Sequence, residues 1–147
     1  MTTMPPLTGR VEMLAIDPVV IADGAHNPEA AAALGTTLAE TFMVPGRRTA
    51  LVSMLAGRDP QTFLTALHRA YPLDLVVACE LADPRAAPAA EIAAAADAVG
   101  IACVQSPSIE AGMQRAFQQG DADDLIVVTG SFRVVAPARA ASRQRNQ

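Results

Sequence analysis

The sequence contains no lysine; all 11 of its basic residues are arginine. That absence excludes the G-x-x-x-x-G-K-[ST] phosphate loop. Taken with the alanine excess it reads as a coding bias and carries no mechanism of its own. No G-x-G-x-x-G follows a strand, so the dinucleotide fingerprint is missing, and no G-x-S-x-G elbow supplies a nucleophile. Two histidines, His26 and His68, are too few for a histidine-led metal site. The two cysteines, Cys79 and Cys103, lie in apolar runs without metal or redox spacing and read as buried small hydrophobes. Although 51% of the residues are apolar, no stretch reaches the length of a membrane span. Residues 1–8 are polar and Pro-bearing, lack the design of a signal peptide, and are expected to be disordered. A net charge of −4 without charge blocks offers no footprint for nucleic acid. A cytoplasmic protein without a membrane or nucleic-acid partner is expected.

What remains, in 147 residues, is one domain large enough to bury its own core. Residues 9–16 and 19–22 flank Asp17-Pro18 and read as a β-hairpin. Asn27-Pro28 then opens a helix with Leu34, Leu38 and Phe42 on one face, closed by Pro45-Gly46. Strands are expected at 49–55, 74–81, 101–105 and 124–129. Helices are expected after Asp59-Pro60 (Phe63, Leu64, Leu67 and Ala70 inward), from Pro88 to Val99, and after Ser106 or Ser108. Beyond Gly130-Ser131 the chain reads equally as a helix capped by Ser131 or as a strand at Val134-Val135, with Pro137 a kink and residues 140–147 frayed. Continuous apolar strands alternating with helices predict a Rossmann-like α/β fold. About six mostly parallel strands are expected, one of them antiparallel, with helices on both faces.

In such a sheet the polar residues gather at the C-terminal ends of the strands, where open α/β sheets bind ligands. Asp23, His26 and Asn27 follow one strand, Arg58 and Asp59 the next, Asp83 and Arg85 the third, and Thr129 and Ser131 the last. Guanidinium groups and helix N-termini along one rim suit an anionic ligand. Asn27 and Asp59 serve as caps whether or not anything binds, and Asp23 could close a turn with Gly24. Arg85 reads as a solvated loop residue or as a further anion contact. His26, a titratable ring in a tight polar turn, has no comparable structural duty.

Asp23-Gly24-Ala25-His26-Asn27-Pro28 resembles the signature of the C-terminal domain of folylpolyglutamate synthase and dihydrofolate synthase, in the Mur ligase superfamily. Gly9-Arg10-Val11-Glu12 resembles that family's lead-in, Asp83-Pro84-Arg85-Ala86 its P-R-A loop, and Thr129-Gly130-Ser131 its last-strand turn. The matches keep their order from Gly9 to about Arg139, which delimits the expected domain as 9–139. One stretch departs from the pattern: the family's G-x-x-x-D-K-D is Ser53-Met54-Leu55-Ala56-Gly57-Arg58-Asp59 here.

The resemblance implies an ATP-dependent amide ligase of folate metabolism. In it a folate carboxylate is phosphorylated and the amine of glutamate attacks the acyl phosphate. By position, Asp23, His26 and Asn27 would meet the nucleotide, with His26 the catalytic candidate, and Arg58 and Ser131 would hold glutamate. ATP and magnesium would be needed only with a partner domain or chain bearing the P-loop, and none would be held by this chain alone. The isolated chain is therefore expected to be inactive, and its uncovered domain interface to favour self-association. A non-catalytic ligand-binding or regulatory module derived from the same domain is the alternative.

Overall fold

The valine- and isoleucine-rich runs pair into a six-stranded sheet in the computed structural model, which describes residues 10–145. The strands are β1 (Glu12–Ile16), β2 (Val19–Ala22), β3 (Arg48–Val52), β4 (Leu75–Cys79), β5 (Cys103–Ser106) and β6 (Leu125–Thr129). Helices α1 (Pro28–Thr41), α2 (Pro60–Ala70), α3 (Ala89–Val99), α4 (Ile109–Gln119) and α5 (Val135–Arg145) separate or follow them. The segment 1–8, expected to be disordered, lies outside the described residues, as does Gly9.

The strand order is β1-β2-β6-β3-β4-β5. β1 runs antiparallel to β2, and every other pairing is parallel, which is the Rossmann-like arrangement expected. Successive side chains of a strand point to opposite faces. Ile21, Val52, Val76 and Val127 accordingly pack with Leu34, Phe63, Leu67 and Ile92 of α1–α3. Val20, Leu51, Val77 and Val128 pack on the other face with Ile109 and Met113 of α4 and Ala138 of α5. Both faces of the sheet are buried, so the strands show no polar alternation. Cys79 is buried in this second layer and Cys103 is half-buried, both as free thiols.

Local chemistry sets the helix starts. Asn27 Oδ1 accepts from the Ala30 amide at 2.8 Å, and Asp59 Oδ1 accepts from Gln61 at 3.1 Å. Of the two serines considered for α4, Ser108 is the cap, accepting from the Ala111 amide at 3.1 Å. The open choice at Val134-Val135 resolves as helix: a 3-10 turn over Phe132–Val134 leads into α5. Pro137 does not break it, because its missing N–H falls in the first turn, where amides lack intrahelical partners anyway. The chain expected to fray from Ala140 is helical to Arg145. Ala141 and Ser142 are buried against the sheet, Arg145 lies 4.5 Å over the Phe117 ring, and Arg139 binds Glu12 of β1 through two bonds of 2.5 and 2.6 Å.

The last strand decides where the site lies. β6 inserts between β2 and β3, and while α1 and α2 leave their strands toward one face, α5 leaves toward the other. Adjacent strands whose connections diverge open a crevice at their C-terminal ends. Gly130, at the end of β6, has φ +111°, and a Cβ there would lie 2.3 Å from the Ser53 carbonyl oxygen. Gly130→Ala is expected to cost about 1–3 kcal/mol, read as a lowered Tm in thermal unfolding with the fold retained by circular dichroism.

Candidate functional site

Three loops meet at this crevice and are stitched together by their backbones. The Gly130 amide donates to the Ala25 carbonyl at 3.0 Å, and the Ser53 amide donates to the Thr129 carbonyl at 3.2 Å. Ser53 Oγ in turn donates to the Cys79 carbonyl at 2.8 Å, holding the end of β3 to that of β4.

Asp23 is buried in the first of these loops. Its Oδ1 accepts from the Ala25 amide at 2.8 Å and its Oδ2 from the Val11 amide at 2.9 Å. The carboxylate thus closes its own turn and also fastens the segment entering β1. Val11 sits at φ +41°, unusual for a β-branched residue. Burial raises the Asp23 pKa above the ordinary value, and the amides of Val11 and Ala25, with Arg10, offset only part of that.

His26 follows, half-buried, with Nδ1 3.1 Å from the Gly24 carbonyl oxygen. A carbonyl only accepts, so in the neutral ring this contact assigns the proton to Nδ1 and leaves Nε2 as an acceptor. The His26 and Phe132 rings are 6.1 Å apart, tilted by 55°. Phe132 also lies against Gly24, where a Cβ would come within 2.3 Å of the ring.

Phe132 divides the crevice. On one side a cavity of about 170 Å³ is lined by His26, Arg58, Ser131, Phe132 and Arg133. On the other a cavity of about 430 Å³ is lined by Arg10, Asp23, His26, Asn27 and Phe132, over an apolar floor that includes Ala33 and Leu34. A third cavity, of about 400 Å³, lies beyond Arg133 and carries Glu80, Asp83 and Glu110.

Five of the residues singled out from sequence are therefore together: Asp23, His26, Asn27, Arg58 and Ser131. Arg85 is not. It is exposed in the loop after β4, with Nε 3.3 Å from Asp83 Oδ1, and it lines none of these cavities. Its backbone and side-chain hydrogen bonds, with Arg133 nearby, hold the Asp83 carboxyl below the ordinary range. Sequence reasoning missed Arg10, Phe132 and Arg133. The last two directly follow Thr129-Gly130-Ser131, in a segment the sequence left open between helix and strand, so neither side chain could be assigned a face; Phe132 is 53% exposed. Among the described residues no cluster of three His, Cys, Asp or Glu side chains could hold a metal ion, and no helix is long and apolar enough to cross a membrane.

The sequence profile of the family described as Mur ligase, glutamate ligase domain matches residues 9–132, a span that contains all five clustered residues. The chain belongs to this Mur ligase family. A Halobacterium salinarum protein named as a probable bifunctional folylpolyglutamate synthase/dihydropteroate synthase is 36% identical over 132 residues, 89% of this chain and 16% of that protein. A bifunctional folylpolyglutamate synthase/dihydrofolate synthase crystallised with Mn, AMPPNP and L-glutamate superposes with a TM-score of 0.81 at 32% identity, covering 94% of this chain and 32% of that one. E. coli FolC in complex with DHPP and ADP gives 0.83 at 28% identity, over 96% and 32%. The chain thus matches the C-terminal domain of folylpolyglutamate synthases, and it spans about a third of those solved chains and a sixth of the halobacterial one.

Asp23 gives this Mur ligase domain a testable pH signature. Because its folded pKa is raised, the folded state holds the proton more tightly, so stability from this group falls as pH rises from 3.8 through the raised value. In Asp23→Asn that slope is expected to vanish, and one of the two amides loses its acceptor at a cost of about 1–3 kcal/mol. Urea unfolding of both proteins across acidic pH measures the slope and the offset.

Proposed function

We propose that this domain is the nucleotide-capping and glutamate-receiving part of an ATP-dependent folate:glutamate ligase, inactive until it meets a domain or chain that holds the nucleotide. The observation that carries the reading is the convergence of His26, Arg58 and Ser131 on one small cavity at the sheet's switch point, in a chain with the kinships above. ATP supplies the phosphoryl group that activates the folate carboxylate, with magnesium as the counter-ion of its phosphates.

The chain's own residues then have distinct tasks. Asn27 caps α1 through Oδ1, which takes the Ala30 amide, and Pro28 has no N–H, so the Asn27 side-chain amide nitrogen and the Glu29 amide are the donors this helix start keeps for an anion. Asp23 spends one lone pair of each oxygen on the amides of Val11 and Ala25, and a carboxylate has further lone pairs to accept from sugar hydroxyls. Arg58 and the Ser131 hydroxyl receive the carboxylates of glutamate. His26 Nε2, the remaining acceptor on that ring, takes a hydrogen bond from the incoming amino group. Closure of the rim over the nucleotide excludes water from a hydrolysable acyl phosphate, which gives a physical reason for a separate closing domain.

The test combines the chain with ATP, magnesium, a reduced folate and glutamate, with and without the separately made remainder of a folylpolyglutamate synthase. No ADP is expected from the chain alone, and glutamate-dependent ADP release is expected from the mixture. Removing the proton-handling ring in His26→Ala should lower that release about a hundredfold. ADP release by the chain alone would overturn the dependence on a partner; release insensitive to both glutamate and His26 would overturn the ligase reading.

A further inference from the structure

The 170 Å³ cavity beside Phe132 has an asymmetric hydrogen-bonding character. It is well below the roughly 300 Å³ at which cavities take drug-sized ligands, so it suits a small metabolite rather than a nucleotide. Two guanidinium-bearing side chains, Arg58 and Arg133, line it, and no carboxylate does. Ser131 Oγ accepts from the Arg133 amide at 3.1 Å, and its hydroxyl proton is free to be offered to a ligand. Apart from the His26 ring, every side-chain polar group lining this cavity can donate, and none is anionic. A ligand with one carboxylate would engage one arginine, and a ligand with two would engage both.

Arg133 is also held in a way that lets it move at little electrostatic cost. Its Nη1 lies 2.9 Å from Asp83 Oδ2, in the wall between this cavity and the acidic one beyond. Asp83 does not depend on that contact. Its Oδ1 accepts from the Arg85 amide at 2.8 Å and from Arg85 Nε at 3.3 Å, and Arg85 Nη2 stands 3.5 Å from Oδ2. If Arg133 turned toward a ligand, Asp83 would keep a cationic partner. The Arg133 side chain is 49% exposed, so the turn displaces no core packing.

We propose that Arg133 is a second carboxylate receptor of this cavity and sets its preference for a dicarboxylic amino acid over the corresponding amide, with Asp83 as its resting partner. Arg85 thereby acquires a purpose as the counter-ion that keeps Asp83 satisfied while Arg133 is engaged. The assignment rests on the glutamate-receiving role proposed above and extends it to a residue outside the family signature.

The experiment titrates the isotope-labelled chain with L-glutamate and with L-glutamine, following the Gly130 and Ser131 amides by NMR. Wild type is expected to saturate with glutamate about tenfold more tightly than with glutamine, the size of one charge-assisted contact. Arg133→Ala should weaken glutamate about tenfold and leave glutamine nearly unchanged; Arg133→Lys should recover part of the difference. Asp83→Asn, which removes the resting partner and leaves the arginine, should keep the preference. No saturable glutamate shift in wild type, or none lost in Arg58→Ala, would overturn the underlying glutamate-site reading. Glutamate binding lost in Arg58→Ala but intact in Arg133→Ala overturns the Arg133 assignment alone. So does an Asp83→Asn variant that loses the preference as fully as Arg133→Ala, because the ion pair would then be structural.

Discussion

The 3.0 Å bond from the Gly130 amide to the Ala25 carbonyl joins the turn after β6 to the turn after β2, and the crevice depends on it. Thr129 Oγ1 approaches the same carbonyl at 3.5 Å, and the Ser53 amide closes the other side of β6 on the Thr129 carbonyl. The bond requires Gly130 at its positive φ, where any Cβ would meet Ser53. It also requires β6 to lie between β2 and β3, so the loops carrying His26, Arg58 and Ser131 are brought together by strand order.

A second constraint lies one residue deeper. Burying an ionised carboxylate is unfavourable unless hydrogen bonds replace its water, and Asp23 obtains them from two backbone amides rather than from a cation. Amides of the chain itself leave a fixed geometry, which a long arginine side chain would not. One amide belongs to Val11, held in the left-handed region just before β1. The segment through which the chain enters the domain is thus tied to the turn that faces the ligand rim.

Charge along the rim is sorted by position. Acidic side chains line the cavity under the ends of β4 and β5, while the cavity beside Phe132 carries arginines. Arg133 stands in the wall between them, and Asp83 is shared by two guanidinium groups. Phe132, exposed on one side and pressed on Gly24 on the other, keeps the small cavity apart from the larger one beside Asp23. The rim therefore has separate compartments within a few side chains of one another.

Much of this molecule is local and was legible in the residues. Uninterrupted apolar runs such as Leu125–Thr129 specify strands buried on both faces, and Asn27, Asp59 and Ser108 specify where helices begin, because each cap uses an amide within three residues. The Asp23-to-Pro28 turn was likewise visible, since its chemistry is contained in six consecutive residues. The α5 tail was not, because small alanines read as fraying until a sheet lies beneath them. Lateral order was also hidden: nothing in the periodicity of β6 says that it inserts between β2 and β3. That insertion brought Phe132 and Arg133 into the crevice, and an ion pair with Asp83 holds Arg85 outside it. The buried strands, the caps and the signature turn thus follow from neighbouring residues, while the hold on α5 and the choice of which loop ends share a cavity follow from non-local strand pairing and packing.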